Sequence, residues 1–313
     1  MTITQLKYTL AVAEYKNFTI AAEHCFVTQP TLSMQIQKLE EELDAKIFNR
    51  SKKPIELTEV GKRIVEQAKV IVDESNRIID IVHQQKGYIG GEFRVGIIPT
   101  IMPTLLPMFL KTFSKNYPKV QLVIEELTTE EIVRKLMDGY IDAAIAATPL
   151  ENEAIKERVL YYEPFVGLVP NEHRLYKQKK LKVDDLEVDD ILLLEDGHCF
   201  KDSVINLCRT NKRSATHHFQ LESGSFDTLI KLSKDGLGMT LLPYLNTLDL
   251  NDRDKAHLRE FETPPPAREV SLIYHKSQLK MQLIEALKNT IDSVIRGAIA
   301  FSDVEIISPL QKN

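Results

Sequence analysis

Cys199 and Cys208 stand nine positions apart in a stretch that opens Leu193-Leu194-Glu195-Asp196-Gly197-His198-Cys199-Phe200-Lys201-Asp202. A strand ending near Leu194 and a helix beginning at about His198 would place Cys199 in a first helical turn. There the helix dipole and unpaired N–H groups favour a thiolate, and His198 and Lys201 would add positive charge. A thiolate attacks peroxide to give a sulfenic acid, which a second thiol can resolve to a disulfide. Nine helical residues at about 1.5 Å each span roughly 13 Å, whereas a disulfide needs Cα atoms within about 7 Å. A bond between these two thiols would therefore have to unwind residues 200–207, turning one covalent event into a two-state change. The plain alternative is that both are small buried hydrophobes in a helix. Cys25, in a different region, is read as core packing.

Other chemistry finds no foothold. Three cysteines without CxxC or zinc-ligand spacing give neither a disulfide framework nor a structural metal site. There is no Ser/His/Asp arrangement, phosphate loop or dinucleotide fingerprint; Gly236 and Gly238 read as a helix C-cap and turn. No cofactor and no enzymatic turnover are expected, and a thiol peroxidase, the catalytic alternative, lacks its motif.

The chain is 313 residues long, 43% hydrophobic and 27% charged, which suits two or three soluble domains. With no apolar run of membrane-spanning length and no secretory pattern at the start, a cytoplasmic location is expected. The net charge of −5 disfavours nucleic acid as a partner when taken alone. Its distribution is more permissive: residues 1–66 carry nine Lys/Arg against nine Asp/Glu, with Arg50, Lys52 and Lys53 clustered.

Those head residues have an order of their own. Leu6, Leu10 and Ala13 lie at helical spacing, 18–24 suits a second short helix, and Thr28 reads as the N-cap of a third with Pro30 in its first turn. Leu32, Ile36, Leu39 and Leu43 form one narrow apolar stripe on that helix. Pro30, Thr31, Ser33, Met34, Gln37, Lys38 and Glu41 then face away, and Gln29 points outward from the helix start. Short polar groups there suit base edges in the major groove. Residues 47–50 and 55–57 flank a basic tip at 51–54, a hairpin wing fit to touch phosphates. A helical domain with a solvated polar face is the alternative.

From Thr58 to His83, Ile64, Ala68, Ile71, Ser75, Ile78 and Val82 repeat at three- and four-residue spacing without an internal break, one long helix whose stripe suits a dimerisation seam. Packing on the chain's own second domain is the alternative. Gly87, Gly90 and Gly91 mark a hinge. Strand-like and helix-like runs then alternate from Phe93 to Ala146, giving a parallel α/β sheet; 162–170 reads as a crossover strand, and 191–194, 219–222, 239–242 and 270–274 supply a second lobe. Ligands of such sheets sit at strand carboxyl ends, here Pro99-Thr100, Thr128-Thr129, 195–199 and Ser223-Gly224.

The string Thr28-Gln29-Pro30-Thr31-Leu32-Ser33, with Gln35-Ile36, Lys38-Leu39-Glu40 and Leu57-Thr58-x-x-Gly61, resembles the LysR-type regulator signature. That resemblance implies a transcription regulator with a winged helix-turn-helix at 1–58, a linker helix and hinge at 59–90, and a two-lobed α/β regulatory domain at 91–300 similar to periplasmic binding proteins. Residues 301–313 match nothing and are expected to be a mobile tail. Gln29, Pro30, Thr31, Ser33 and Met34 would meet the groove, with Arg50 and Lys53 in the wing; position 37, often Arg in similar regulators, is Gln here.

Gly197-His198-Cys199 with Cys208, together with Ile98-Pro99-Thr100, Thr129, His218-Phe219 and Leu241-Leu242-Pro243, is similar to the family's peroxide-sensing members. By that similarity Cys199 is the peroxidatic thiol and Cys208 resolves it. Thr100, Thr129 and His198 would help to hold hydrogen peroxide, with His218 and Arg268 in support. The implied partners are double-stranded promoter DNA, RNA polymerase in the oxidised state, and further copies of the chain, dimers through the linker helix pairing into tetramers. A regulator that senses a small metabolite in the inter-lobe cleft, with incidental cysteines, is the competing expectation.

Overall fold

A computed structural model describes residues 1–85, 89–195, 197, 199–208, 224–299 and 304–310. The chain divides into two compact units, Met1–Tyr88 and Ile89–Asn313.

In the first unit, α1 (Ile3–Tyr15), α2 (Phe18–His24) and α3 (Gln29–Glu42) precede the strands β1 (Phe48–Asn49) and β2 (Glu56–Leu57). Local chemistry sets the helix starts. Thr2 and Gln5 form a reciprocal capping box on α1, and the Asn17 side chain accepts the N–H groups of Thr19 and Ile20 on α2. Leu32, Ile36 and Leu39 of α3 are fully buried with Leu6, Val12, Ala21 and Ala22, as the stripe requires, while Leu43 lies beyond the helix and is exposed. β1 and β2 pair antiparallel, Phe48 opposite Leu57, and form the wing.

The long helix α4 runs Glu59–Gln85. Its stripe divides: Ala68 and Val72 are buried and Ile64, Val65 and Ile71 pack on the helix-turn-helix core, whereas Ile78 is 65% and Val82 43% exposed. The expected seam along the whole helix is therefore corrected. Its first half is occupied by the chain's own head, because α1 lies against it and buries that face.

The second unit contains β3 (Gly91–Ile97), α5 (Met102–Asn116), β4 (Val120–Glu126), α6 (Thr129–Met137), β5 (Ala143–Thr148), β6 (Ile155–Leu168) and β7 (Lys180–Leu181). There follow α7 (Cys199–Leu207), α8 (Phe226–Lys234), β8 (Thr240–Pro243), α9 (Leu245–Leu248), α10 (Asp252–Lys255), β9 (Leu258–Phe261), β10 (Pro266–His275), α11 (Met281–Ile295) and β11 (Glu305–Ile306). The strand path is β4-β3-β5-β10-β6-β9-β7, with β8 also on β6 and β11 on β10. It makes two lobes, one core around Phe93, Phe109, Ala144 and Ile284, the other around Phe165, Leu194, Phe200 and Leu241.

The sheet is mixed rather than parallel. β3 is parallel to β4 and β5, but β10 is antiparallel to both β5 and β6. β5 and β6 thus run in the same direction on either side of β10, which returns between them from much later in the chain. β6 carries the chain across: its first part pairs with β10, and Phe165 to Leu168 pair with β8 and β9. Of the strands expected in the second lobe, 191–194 is reduced to a single bridge from Ile191 to Met239, and 219–222 lies outside the described residues.

The terminal segment is not a loose tail where it is described. β11 runs parallel to the start of β10, Glu305 N–H and Ile307 N–H donating to the carbonyls of Pro265 and Ala267 at 2.9 and 2.8 Å, and Pro309 is buried. No described helix is long and apolar enough to cross a membrane.

Candidate functional site

Four side chains expected at one site converge in the regulatory unit. Thr100 follows β3 and Thr129 opens α6 after β4, both at carboxyl ends of parallel strands. Cys199 opens α7 from the second lobe, and Arg268 comes from β10, which spans the sheet centre. The Thr129 side chain and the Arg268 charge both act on the Cys199 thiol in favour of its ionised form. Arg268 Nη1 donates to Thr100 Oγ1 at 3.0 Å and Nη2 to the Thr100 carbonyl at 3.1 Å, joining the second threonine to the group. The guanidinium also lies 5.5 Å from the ring of Phe200, the neighbour of Cys199. His198 and His218 lie outside the described residues.

The expected thiolate, favoured by the helix start, His198 and Lys201, is matched only in part: the Phe200 N–H at the helix start acts in its favour, and His198 lies outside the described residues. Burial pushes the thiol above its ordinary value; Arg268, the Thr129 hydrogen bond and the Phe200 N–H draw it back, and Asp202 pushes it up again. The net shift is upward because Cys199 packs against the first lobe's core, where desolvation outweighs the nearby donors. Lys201 is not among these groups.

Sequence reasoning missed Glu163. It is fully buried on β6, with Oε2 accepting from Arg268 Nε at 2.9 Å and Nη2 at 2.7 Å, and Oε1 from the Leu245 N–H at 2.9 Å. Three acceptor contacts fix the carboxylate, and the carboxylate fixes the plane of the guanidinium, leaving Nη1 for Thr100. A signal was present: Glu163 is the one charge in the run 159–170, and a buried acid needs a partner. Arg268, expected only as support, is central to the cluster and only 2% exposed.

Cys208 lies just beyond the same helix, in the second lobe's core, its Sγ 3.3 Å from the Val204 carbonyl. Burial lifts its thiol from 9.0 to about 11. Two pH units correspond to about a hundredfold less thiolate near neutrality, so the folded reduced protein keeps this thiol inert. Native Cys208 is expected to alkylate at least tenfold more slowly than the same residue in denaturant at equal pH; equal rates, followed by mass spectrometry, would contradict this burial. Since the folded value is the higher one, this thiol's contribution to stability is complete below the unfolded value of 9.0 and fades as pH rises through about 11.

In the head unit, Gln29, Pro30, Thr31 and Met34 are exposed along the start of α3, and Lys53 is exposed at the wing tip. Thr28 occupies the N-cap position without making the expected side-chain cap; its hydroxyl lies 2.8 Å from that of Thr31. Arg50 is not wholly free for phosphate. Its Nη1 donates to Ser33 Oγ at 3.1 Å and its Nη2 to Glu40 Oε2 at 3.2 Å, with the guanidinium 4.9 Å above the Phe18 ring. Glu40, also missed in the sequence, is buried and accepts the N–H groups of Ile47 and Phe48 at 2.8 and 3.2 Å, tying the wing to α3. Among the described residues no cluster of metal-ligating side chains is present.

Residues 3–62 match the model for the bacterial regulatory helix-turn-helix protein, lysR family, and residues 86–295 match the LysR substrate binding domain. The chain belongs to the LysR family of transcriptional regulators. Within it, the chain is 32% identical over 297 residues to a hydrogen peroxide-inducible genes activator of Pectobacterium carotovorum subsp. carotovorum, covering 95% of this chain and 98% of that one. It is 32% identical to the DNA-binding transcriptional dual regulator OxyR of Escherichia coli K12, covering 93% and 96% respectively. The structure of a full-length OxyR variant from Pseudomonas aeruginosa superposes with a TM-score of 0.74 at 33% identity, covering 93% of this chain and 98% of that one.

Proposed function

We propose that this protein is a hydrogen-peroxide-sensing transcription regulator in which Cys199 is oxidised and Cys208 resolves it. The observation that supports this most is the cluster at Cys199: a thiol whose ionised form is favoured by Thr129 and by an arginine that also holds Thr100, with a second thiol just beyond the end of the same helix. A peroxide needs donors on the oxygen that leaves and a nearby cation to stabilise developing charge. Thr129, Thr100 and Arg268 are of those types, and His198 and His218 are assigned to the same site.

The chemistry balances in two steps. The Cys199 thiolate attacks one peroxide oxygen, the O–O bond breaks, and the departing hydroxide takes a proton and leaves as water. Cys208 then attacks the sulfenic sulfur, forming the S–S bond and releasing a second water. Nine residues at helical rise separate two positions by about 13 Å, so the second step requires α7 to unwind. Cys199 packs on the first lobe's core and Cys208 belongs to the second. Disulfide closure therefore strips a contact from one lobe and repacks the other.

The remaining assignments follow the same reading. Residues 1–58 bind double-stranded promoter DNA through Gln29, Pro30, Thr31, Ser33 and Met34, with Arg50 and Lys53 toward the backbone. Residues 59–90 are the linker and hinge, and 91–300 the sensing domain. Copies associate through the second half of α4, at the exposed Ile78 and Val82, and pair into tetramers, and the oxidised form contacts RNA polymerase.

Fully reduced protein exposed to stoichiometric hydrogen peroxide, blocked with a thiol reagent and digested without reductant, is expected to yield a Cys199–Cys208 cross-linked peptide with Cys25 still free. Free thiols throughout, or scrambled cross-links between chains, would overturn the redox assignment and leave a LysR regulator of a small ligand.

A further inference from the structure

The segment 304–310 has no role in the chemistry above, yet it is docked on the helix that must unwind. Asn206 of α7 donates through Nδ2 to the carbonyls of Ser308 at 3.2 Å and Leu310 at 2.8 Å. Ile307 packs against the second lobe's core, which contains Phe200, Val204, Leu207 and Cys208. On its other side the segment is bonded to Pro265 and Ala267, the latter adjoining Arg268. One short strand thus grips both the switching helix, two residues before Cys208, and the strand that delivers the arginine to Cys199.

We propose that residues 304–310 are a latch that holds α7 in its reduced shape and is released when Cys199 and Cys208 join. The inference rests on the redox reading above. A side-chain amide bonded to two carbonyls two residues apart needs its own Cα fixed relative to them. Asn206 lies within the part of α7 that must lose its helical path, so closing the disulfide breaks both bonds and withdraws the apolar surface under Ile307. Interactions present in only one of two states bias the equilibrium toward that state. The docked segment therefore raises the peroxide exposure needed to switch, and the oxidised protein carries a freed terminal peptide.

The test uses the full-length protein, an Asn206→Ala variant and a chain ending at Ile299. In the reduced state, hydrogen exchange at 203–208 is expected to be faster in both variants than in the unaltered chain. After peroxide, disulfide closure should accelerate about tenfold, the effect of removing one or two ordinary hydrogen bonds, while sulfenic acid formation at Cys199 keeps its rate. Oxidation of the unaltered chain should expose the Glu305 and Ile307 amides. The point variant keeps the test valid should the shortened chain not fold. Unchanged exchange and closure rates, or Glu305 and Ile307 amides still protected after oxidation, overturn the latch. Failure of the unaltered chain to form any Cys199–Cys208 bond overturns instead the redox reading beneath it.

Discussion

Arg268→Met is expected to lower the stability of the regulatory unit by about 3–5 kcal/mol, the cost of removing one partner from a buried ion pair. The size follows from burial: the Arg268 side chain is 2% exposed and that of Glu163 is fully buried, so the orphaned carboxylate has no water to turn to. The Thr100 hydroxyl and carbonyl lose their donors in the same step. For a unit of this size the loss corresponds to a fall in Tm of roughly 10 °C, read by calorimetry. A double variant, Arg268→Met with Glu163→Leu, removes the stranded charge and should recover most of that stability. It should not recover oxidation, because Cys199 has then lost the cation that opposes its desolvation. A double variant no more stable than the single would show that the pair does more for the fold than neutralise itself.

Glu40→Ala is expected to cost roughly 2–4 kcal/mol in the head unit, since two buried N–H groups of the wing lose their acceptor. Arg50 contributes less to this figure because its side chain is 39% exposed and can turn to water. The larger effect falls on DNA. Glu40 ties the start of β1 to α3 and orients Arg50 against Ser33, so the proposed reading face and wing lose their common register. Affinity for duplex DNA should drop at least tenfold, while Lys53→Ala, at an exposed wing tip, should weaken binding mildly and reduce its salt dependence. Equal losses from the two variants, measured by fluorescence anisotropy at several salt concentrations, would contradict a positioning role for Glu40.

Much of this architecture is legible in residue order because periodicity reports burial directly. The stripe Leu32, Ile36, Leu39 gives the packing face of α3, and the unbroken pattern after Thr58 gives α4. What that pattern does not show is who covers a stripe: the first half of α4 is covered by its own head unit, whereas Ile78 and Val82 further along are exposed. Strand direction is equally hidden, because a run such as 270–274 is apolar whether its neighbours run parallel or antiparallel to it. At the site, motif spacing singles out the cysteines and threonines, but the direction of the Cys199 shift depends on which core its sulfur touches, a tertiary fact. Glu163 is visible only as an acid among apolar neighbours, with partners that come from remote elements, and Glu40 only as one of three consecutive glutamates, with nothing in their order to say which one turns inward. The terminal segment has no periodicity at all; backbone hydrogen bonds to β10 decide its place, and those leave no mark on side-chain order.

On the proposed function, a thiol event in the regulatory unit changes how the head unit meets DNA. The direct measurement is hydroxyl-radical footprinting of the protein on duplex DNA selected by its reduced form from a randomised pool, before and after peroxide, with Cys199→Ser alongside. The protected positions of the unaltered chain are expected to shift on oxidation and to return with dithiothreitol, while Cys199→Ser keeps the reduced pattern throughout. An identical footprint in both states of the unaltered chain, with the Cys199–Cys208 bond verified in the same sample, would contradict it.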